Sequence, residues 1–299
     1  MMPKIRKKYL YYILIVFIVA VTTFIFLYKN NKNEIYVDEK GMLVLSNLNP
    51  ATYKTFPYKS NENYTISKVV YNSLGKDIYG FIAEPAGRKI SAGVVLLPGA
   101  GVDKKSELEL AKQIAAQGYS VITIDQRGIG ETNGDVPSLE EDFNSYIKGD
   151  IAIQHLMILD ALSAADILRK EKKENDKIIM MGESLGGRIA LISAAIDKKI
   201  NGVIAISSAG FHYGNGNDEK SKFIKSFDPD NYIAEIYPRK LVMIHNSYDK
   251  NVPFESALAT FERAKEPKEF ILINDTKCNH GFCDSMFQDI NSSLASMIR

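Results

Sequence analysis

The stretch that decides the fold is KIIMMGESLGGRIA, residues 177–190. The apolar run IIMM is followed by Gly-Glu-Ser-Leu-Gly and then by residues that favour a helix. Glycines two residues before and two residues after Ser184 leave room for a sharp strand-to-helix turn, which strains the serine backbone and lifts its hydroxyl above the sheet. Ser184 is therefore either a nucleophile that this turn presents or a small residue that the turn itself requires.

Short β-rich runs alternate with longer helical patterns on both sides of this stretch. Strands are predicted at 64–71, 77–83, 92–99, 120–125, 177–182, 201–208, 240–246 and 268–274, and helices at 104–117, 150–170, 185–196, 254–265 and 284–298. The central runs are apolar throughout, as expected for strands that helices cover on both faces. The sequence thus predicts an α/β fold with a doubly wound, mainly parallel sheet, whose ligands bind beyond the C-terminal strand ends.

A serine nucleophile needs a base that removes its proton and a carboxylate that orients the base. His280 follows the last predicted strand in the segment CNHGF and is the candidate base. We interpret His155 and His245 as structural, and His212 as a loop residue that borders the site without acting as base. Asp249 follows the preceding strand and is the candidate carboxylate, although an aspartate in such a loop often serves only as a turn or helix cap.

Five segments in order along the chain carry a resemblance to a known family. They are LLPGAG (96–101), DQRGIGET (125–132), GESLGG (182–187), FDPDNYIAEIYPRKLVMIHNSYDKNVP (227–253) and NHGF (279–282). From about residue 64 onward the chain resembles an α/β-hydrolase of the serine-esterase kind. The resemblance implies a catalytic triad of Ser184, His280 and Asp249, which occur in the chain order serine, aspartate, histidine.

The same resemblance implies an oxyanion hole built from two backbone N–H groups. One belongs to Leu185, directly after the nucleophile. The other lies in the loop after the strand that ends near Leu97, where many relatives have His-Gly and this chain has Pro-Gly-Ala-Gly. We assign Ala100 as the second donor, and Gly101 is the alternative.

The N-terminal region differs in character from the rest of the chain. Residues 9–28 (YLYYILIVFIVAVTTFIFLY) form an uncharged run of 20 residues, the length that a helix needs to cross a bilayer. Four basic residues precede it, which favours a cytoplasmic N-terminus at 1–8. We therefore predict a single-pass signal anchor in the cell membrane, a linker at 29–60 and a catalytic domain at 61–299 on the extracytoplasmic side. A cleaved signal peptide and a buried core helix are the alternatives.

Charge and cysteine content restrict the possible partners. Residues 1–30 contain five of the 37 basic residues and none of the 36 acidic ones, so the remainder has 32 basic and 36 acidic residues. This balance argues against a nucleic-acid partner. Cys278 and Cys283 cannot form a four-ligand zinc site alone, and no metal or organic cofactor is expected. The two cysteines, which bracket His280, either form a disulfide or remain free thiols.

Residues 209–238 lie between two predicted strands and are interpreted as a small cap insertion. Their aromatic side chains either line an acyl pocket or pack the cap internally. These are Phe211, Tyr213, Phe223, Phe227 and Tyr232.

Together these features predict a membrane-anchored serine hydrolase whose partners are a small-molecule ester and, through residues 9–28, the lipid bilayer. The resemblance implies that the ester is cleaved through an acyl-enzyme intermediate. The alternatives within enzymes are a serine peptidase or amidase similar to the catalytic domain of prolyl oligopeptidases, a thioesterase and a lysophospholipase. A catalytically inactive binding module is the alternative from a different class.

Overall fold

The computed structural model describes residues 9, 12–22, 34–46, 50–171, 177–214 and 216–298. The chain forms two compact units, one of residues 1–36 and 44–49 and the other of residues 37–43 and 50–299. The smaller unit includes a helical segment at residues 12–22, called α1 here. The larger unit contains every residue predicted to take part in catalysis.

The strands are β1 (Glu34–Val37), β2 (Leu43–Ser46), β3 (Tyr53–Ser60), β4 (Tyr64–Ser73), β5 (Lys76–Pro85), β6 (Gly93–Leu97), β7 (Ser120–Ile124), β8 (Ile178–Glu183), β9 (Gly202–Ile206), β10 (Lys240–Asn246) and β11 (Lys268–Ile273). The helices after α1 are α2 (Leu108–Ala116), α3 (Leu139–Tyr146), α4 (Ile153–Glu171), α5 (Leu185–Ile196), α6 (Glu219–Lys225), α7 (Phe254–Glu262) and α8 (Phe287–Met297). Short 3-10 turns occur at Pro229–Asn231, Ile233–Ile236 and Asp284–Met286.

The large sheet has nine strands in the order β11-β10-β9-β8-β6-β7-β5-β4-β3. The pairs from β11 to β7 are parallel, and those from β7 to β3 are antiparallel. All five residues of β6, β7 and β9 are buried. The predicted α/β fold with a mainly parallel sheet is confirmed.

Helices cover this sheet because its central strands have no polar face. Val94 and Leu96 of β6 belong to an apolar cluster with residues of α2 and α8, including Ile114 and Leu294. Helices α4 and α5 also contact β6 and β8. Burial of each large aliphatic side chain in such a core contributes about 1.5–3 kcal/mol, so the apolar strands and these helices stabilise one another.

Strand β3 differs from the sequence-based expectation. Residues 53–60 fall in the predicted linker at 29–60, yet they pair antiparallel with β4 and form one edge of the large sheet. Most of their side chains are exposed, so the strand has no buried face that would produce an alternating pattern. Pro57 and the lysines of β3 suit an edge strand, where they discourage pairing with another chain.

The predicted cap region contains α6 and two of the 3-10 turns. Its aromatic side chains divide into two groups. Phe223, Phe227 and Tyr232 are buried, and the rings of Phe223 and Phe227 lie 5.0 Å apart. Phe211 and Tyr213 are exposed. Three of the five aromatic residues are therefore buried in packing contacts, and the exposed Phe211 also places its ring 5.8 Å from that of Phe227.

The predicted anchor at 9–28 is described only at residue 9 and at residues 12–22, and the rest of it lies outside the described residues. The side chains of 12–22 are exposed although most are apolar, with Phe17 at 65%. None of the helices found in the described residues has the length and hydropathy of a membrane span.

Candidate active site

The C-terminal ends of the parallel strands meet at one edge of the sheet. Leu97, the last residue of β6, is opposite Gly182 of β8. Ile206, the last residue of β9, is opposite both Glu183 and Ile244. The loops that follow these strands are consequently neighbours, and they hold the residues predicted to form the site.

Ser184 occupies the turn between β8 and α5. Its φ of 51° and ψ of −114° are unusual for a residue with a side chain. Three hydrogen bonds hold this backbone: Ser184 N–H donates to Ile206 O (2.9 Å), while Arg188 N–H (3.1 Å) and the Ser208 hydroxyl (2.8 Å) donate to Ser184 O. The strained turn predicted from the sequence is therefore present and is fixed by its neighbours.

The glycines on either side of Ser184 are required by close backbone contacts. A β-carbon added to Gly182 would lie 2.8 Å from Gly187 N, and one added to Gly186 would lie 2.6 Å from Pro98 O. Contacts this short do not occur for real β-carbons. The spacing of the motif thus lets the β6 loop approach the start of α5 closely.

Gly186→Ala tests this close approach. We expect it to lower the free energy of unfolding by about 3 kcal/mol, the upper end of the usual cost of overpacking, because the added carbon meets backbone atoms that cannot rotate away. Chemical unfolding of the full chain measures the change. Gly214→Ala is the matched control, since a β-carbon there meets nothing within 4 Å. Equal stability of the two variants would contradict the steric explanation.

Asp249 and His280 are hydrogen-bonded to each other. His280 Nδ1–H donates to Asp249 Oδ2 (2.9 Å) and Oδ1 (3.0 Å), and the Asp249 side chain is fully buried. The N–H groups of Asn251 and Val252 also donate to Oδ1, each at 2.9 Å. Burial alone would raise the pKa of Asp249, but the hydrogen bonds from Val252, His280 and Asn251 outweigh it and lower that pKa below its ordinary value. Asp249 is thus a carboxylate that fixes the imidazole ring.

The loop that carries His280 adjoins the turn that carries Ser184. Phe282 N–H donates to Glu183 Oε2 at 2.9 Å, so the residue before Ser184 contacts the residue two positions after His280. In the described part of the chain, no hydrogen bond joins the Ser184 hydroxyl to the imidazole. Such contacts are often long in enzymes without substrate and tighten when substrate binds.

The remaining histidines have other partners. His155 is buried, which lowers its pKa to about 4, and its Nε2 is 2.6 Å from Ser226 Oγ. His245 is buried and its Nε2–H donates to Val252 O at 3.0 Å, while His212 Nδ1 is 2.8 Å from an Asp230 oxygen. Within the described residues, these histidines do not join other side chains in a group of three or more suited to a metal ion.

The two predicted oxyanion donors, Leu185 and Ala100, belong to the helix start after Ser184 and to the β6 loop. Leu185 is the first residue of α5, where backbone N–H groups have no partner within the helix. In the β6 loop, a β-carbon added to Gly99 would lie 3.6 Å from Ser184 Cβ. Ala100 follows Gly99 in an exposed turn. The β6 loop therefore passes beside the serine.

Gln126 is a further residue of this site, not among the candidates predicted from the sequence. Its side-chain Nε2–H donates to Pro98 O at 2.7 Å, and the side chain is buried. This hydrogen bond ties the loop after β7 to the loop that contains Ala100. The signal in the sequence is the DQRG segment (125–128), in which Gln126 is the first residue after the predicted strand at 120–125.

Cys278 and Cys283 form a disulfide, with their Cα atoms 5.9 Å apart. The bond closes a short loop that includes His280. Asn246 Nδ2–H donates to Cys278 O at 2.7 Å, which attaches the same loop to the end of β10. Of the two alternatives left open by the sequence, the structure contains the disulfide.

Removing the disulfide should loosen the loop that carries His280. For so short a loop, we expect the Cys278→Ser, Cys283→Ser double variant to lose about 2 kcal/mol of stability, from the greater freedom of its unfolded chain. We also expect treatment with a reductant to lower the unfolding midpoint of the wild type but not that of the double variant. The same unfolding midpoint for both proteins under oxidising conditions would contradict a stabilising bond.

The sheet, the strained serine at a strand-to-helix turn and the adjoining aspartate–histidine pair define the class of serine hydrolases with an α/β-hydrolase fold. The family model described as "Serine aminopeptidase, S33" (Hydrolase_4) matches residues 88–272, which is more than half of the chain. The chain belongs to this family. The resemblance stated from the sequence is therefore confirmed at the level of the family.

Parts of the chain also match curated relatives. The chain is 27% identical to "Uncharacterized protein YfhR" of Escherichia coli O157:H7 over 182 residues, which cover 58% of each protein. It is 29% identical to "Putative hydrolase YtaP" of Bacillus subtilis (strain 168) over 114 residues, or 38% of each. The first match thus spans less than two thirds of that relative's length.

Among solved structures, the chain is similar in fold to the acetyl xylan esterase from Paenibacillus sp. R4. The TM-score is 0.66 at 18% identity, with 83% of this chain and 89% of that chain covered. It is also similar to a cold-adapted esterase from an Arctic intertidal metagenomic library, with a TM-score of 0.62, 18% identity, and coverage of 83% and 100%. At these identities the likeness supports the fold.

Proposed function

We propose that the protein is a membrane-anchored serine hydrolase that cleaves carboxylic esters with Ser184, His280 and Asp249. The observation that carries the proposal is the buried Asp249 carboxylate hydrogen-bonded to His280, on a loop that adjoins the strained turn of Ser184. A serine after β8, a carboxylate after β10 and a base after β11, all at the same edge of the sheet, are the groups that acyl transfer requires.

In the proposed reaction, His280 Nε2 removes the proton of Ser184 as the hydroxyl oxygen attacks the ester carbonyl. Asp249 accepts the Nδ1–H hydrogen bond, keeps the imidazole in the correct tautomer and stabilises the imidazolium. The N–H groups of Leu185 and Ala100 stabilise the negative oxygen of the tetrahedral intermediate. The alcohol leaves with the proton from His280, and water then releases the acid from Ser184 by the same steps.

The catalytic groups alone do not decide between an ester and an amide substrate. Both structural neighbours named above are described as esterases, which favours an ester substrate. The family description names an aminopeptidase, and this favours an amide or peptide as the second candidate. Ester and amide hydrolysis use the same triad and differ in how strongly the leaving group must be protonated.

The experiment is hydrolysis of chromogenic esters of increasing acyl length by the full chain, with peptide amides in parallel and labelling by a fluorophosphonate probe. We expect labelling of the wild type and turnover of esters. Turnover of amides without turnover of esters would replace the ester proposal by the peptidase. A wild type that the probe does not label would contradict Ser184 as nucleophile.

Anchoring by residues 9–28 is the second part of the proposal. The uncharged run of 20 residues and the exposed apolar side chains of the helical residues 12–22 support it. We expect the full chain to sediment with membranes after a carbonate wash, and added protease to degrade the catalytic domain from the extracytoplasmic side. Release by the wash would contradict the anchor, and protection from the protease would contradict the orientation.

A further inference from the structure

Glu183, the residue between Gly182 and Ser184, contacts the loop that carries His280. Its Oε2 accepts a hydrogen bond from Phe282 N–H at 2.9 Å. A β-carbon added to Gly281 would overlap the same oxygen, and Gly281 has a φ of 78° that few other residues adopt. The two residues directly after His280 are therefore packed onto the Glu183 carboxylate.

Glu107 approaches the same carboxylate from another loop. It lies at the end of the β6 loop, immediately before α2, and is buried with an exposed fraction of 3%. Its side chain does not cap α2 and is instead hydrogen-bonded to the carboxyl group of Glu183. Two carboxyl groups can share a hydrogen bond only if one of them carries a proton.

The surroundings indicate which carboxyl group holds the proton. Burial, the charge of Glu183 and the hydrogen bond to it raise the pKa of Glu107 from 4.5 to about 9. Burial leaves the pKa of Glu183 raised as well, although the Phe282 N–H, the hydrogen bond with Glu107 and the adjacent His280 lower it in part. Because Glu183 Oε2 already accepts the Phe282 N–H at 2.9 Å, Glu183 is the acceptor of the shared hydrogen bond and Glu107 is its donor.

Charged groups on the adjoining elements complete this environment. His280 faces Glu183 from the loop after β11, and Asp249 holds the opposite side of the His280 ring. Lys104, in the same loop as Glu107, is buried and forms ion pairs with Asp125 and Glu131. The Lys104 ammonium is thus occupied by two other carboxylates.

We propose that Glu107 and Glu183 form a proton-sharing acid pair that positions the loop carrying His280. The pair joins three loops at the catalytic edge of the sheet: the β6 loop, the turn of Ser184 and the loop after β11. The proposal deepens the function proposed above and rests on its assignment of His280 as base. Glu107 and Glu183 are positioning residues, because they act on the imidazole through the backbone of Gly281 and Phe282.

Loss of the shared proton should disrupt this arrangement. Two ionised carboxylates in a buried site repel each other, which would displace the backbone next to His280. The folded-state pKa of Glu107 is raised, so the protonated Glu107 side chain stabilises the folded protein. This stabilisation is fully present below pH 4.5 and is lost as the pH rises through about 9. Between pH 4.5 and about 9 the folding equilibrium constant of the wild type falls by up to about tenfold per pH unit. The comparison is with a variant that has a neutral side chain at position 107.

The test compares the wild type with Glu107→Gln, which keeps a neutral hydrogen-bond donor, and Glu107→Ala, which keeps none. Glu109→Gln on the exposed side of α2 is the matched control. In full-chain ester assays from pH 6 to pH 10, we expect the wild type and the control to lose activity near pH 9. Glu107→Gln should lose this alkaline decline, and its kcat at pH 7 should exceed that of Glu107→Ala at least tenfold, with little change in KM.

Unfolding midpoints over the same pH range provide a readout that needs no activity. We expect the unfolding midpoint of the wild type to fall with rising pH more steeply than that of Glu107→Gln. Glu183→Gln, which removes the charged partner, should also make this decline less steep. Equal slopes in the wild type and both variants would overturn the acid pair. Failure of every ester to react would instead count against the proposed function, while the slopes would still decide the acid pair.

Discussion

Ser184→Ala is expected to lower kcat/KM for ester hydrolysis by at least about 10⁴-fold, because it removes the atom that would form the acyl-enzyme. The residual rate would come from the proposed oxyanion donors and from substrate binding, which the substitution leaves in place. Alanine also fits the space of serine, and the hydrogen bonds that hold this turn involve the backbone N–H and carbonyl of Ser184. Steady-state kinetics on an activated ester would measure the loss.

The matched control is Ser193→Ala on the same helix. Ser193 is buried in α5 and lies more than two helical turns beyond Ser184, so its hydroxyl has no proposed role in the reaction. We expect this variant to keep wild-type labelling by a fluorophosphonate probe, whereas Ser184→Ala loses it. Labelling of Ser184→Ala at the wild-type rate would show that the probe reacts with a different nucleophile.

Asp249→Asn is expected to reduce kcat by about 10⁴-fold, the size of the effect when an amide replaces the orienting carboxylate of a serine hydrolase. The amide nitrogen donates a hydrogen bond, so it favours the tautomer of His280 that cannot take the proton of Ser184. The N–H groups of Asn251 and Val252, which donate to Asp249 Oδ1, would also lose a charged acceptor. Kinetics with saturating ester separate this effect on kcat from an effect on binding.

Asp275→Asn provides the comparison for this variant. Asp275 accepts a hydrogen bond from Lys277 N–H at 2.9 Å, so it caps a turn much as Asp249 does, but without a histidine partner among its hydrogen bonds. We expect its activity to stay within about twofold of the wild type. If both variants lost activity equally, the role of Asp249 would be that of a turn cap rather than of a carboxylate that orients the base.

The fold could be predicted from the sequence because its signals are local. The apolar runs of β6 and β8 identify central strands. Their alternation with helical patterns along the chain indicates parallel strands joined by helices. Ser184 and its flanking glycines belong to one short motif. Asp249 and His280 were found because the chain order and the strand ends limited the choice to few residues.

Other elements left no such signal. Strand β3 has mostly exposed side chains, so nothing in its pattern separates it from a polar linker. Helix α3 (Leu139–Tyr146) went unpredicted although Ser138 and Glu141 form a capping box at its start, because its short sequence has little apolar periodicity.

The sequence by itself determined the class of sheet, the position of the turn at Ser184 and the identities of the candidate base and carboxylate, since each depends on neighbouring residues or on order along the chain. Only the tertiary structure decided that Cys278 is bonded to Cys283 and that Glu107 meets Glu183. The second contact joins residues 76 positions apart (183 minus 107) on separate loops. Two carboxyl groups share one proton only when folding brings them together away from water. No local sequence pattern encodes this burial and proximity, so the Glu107–Glu183 contact could not be predicted from the sequence.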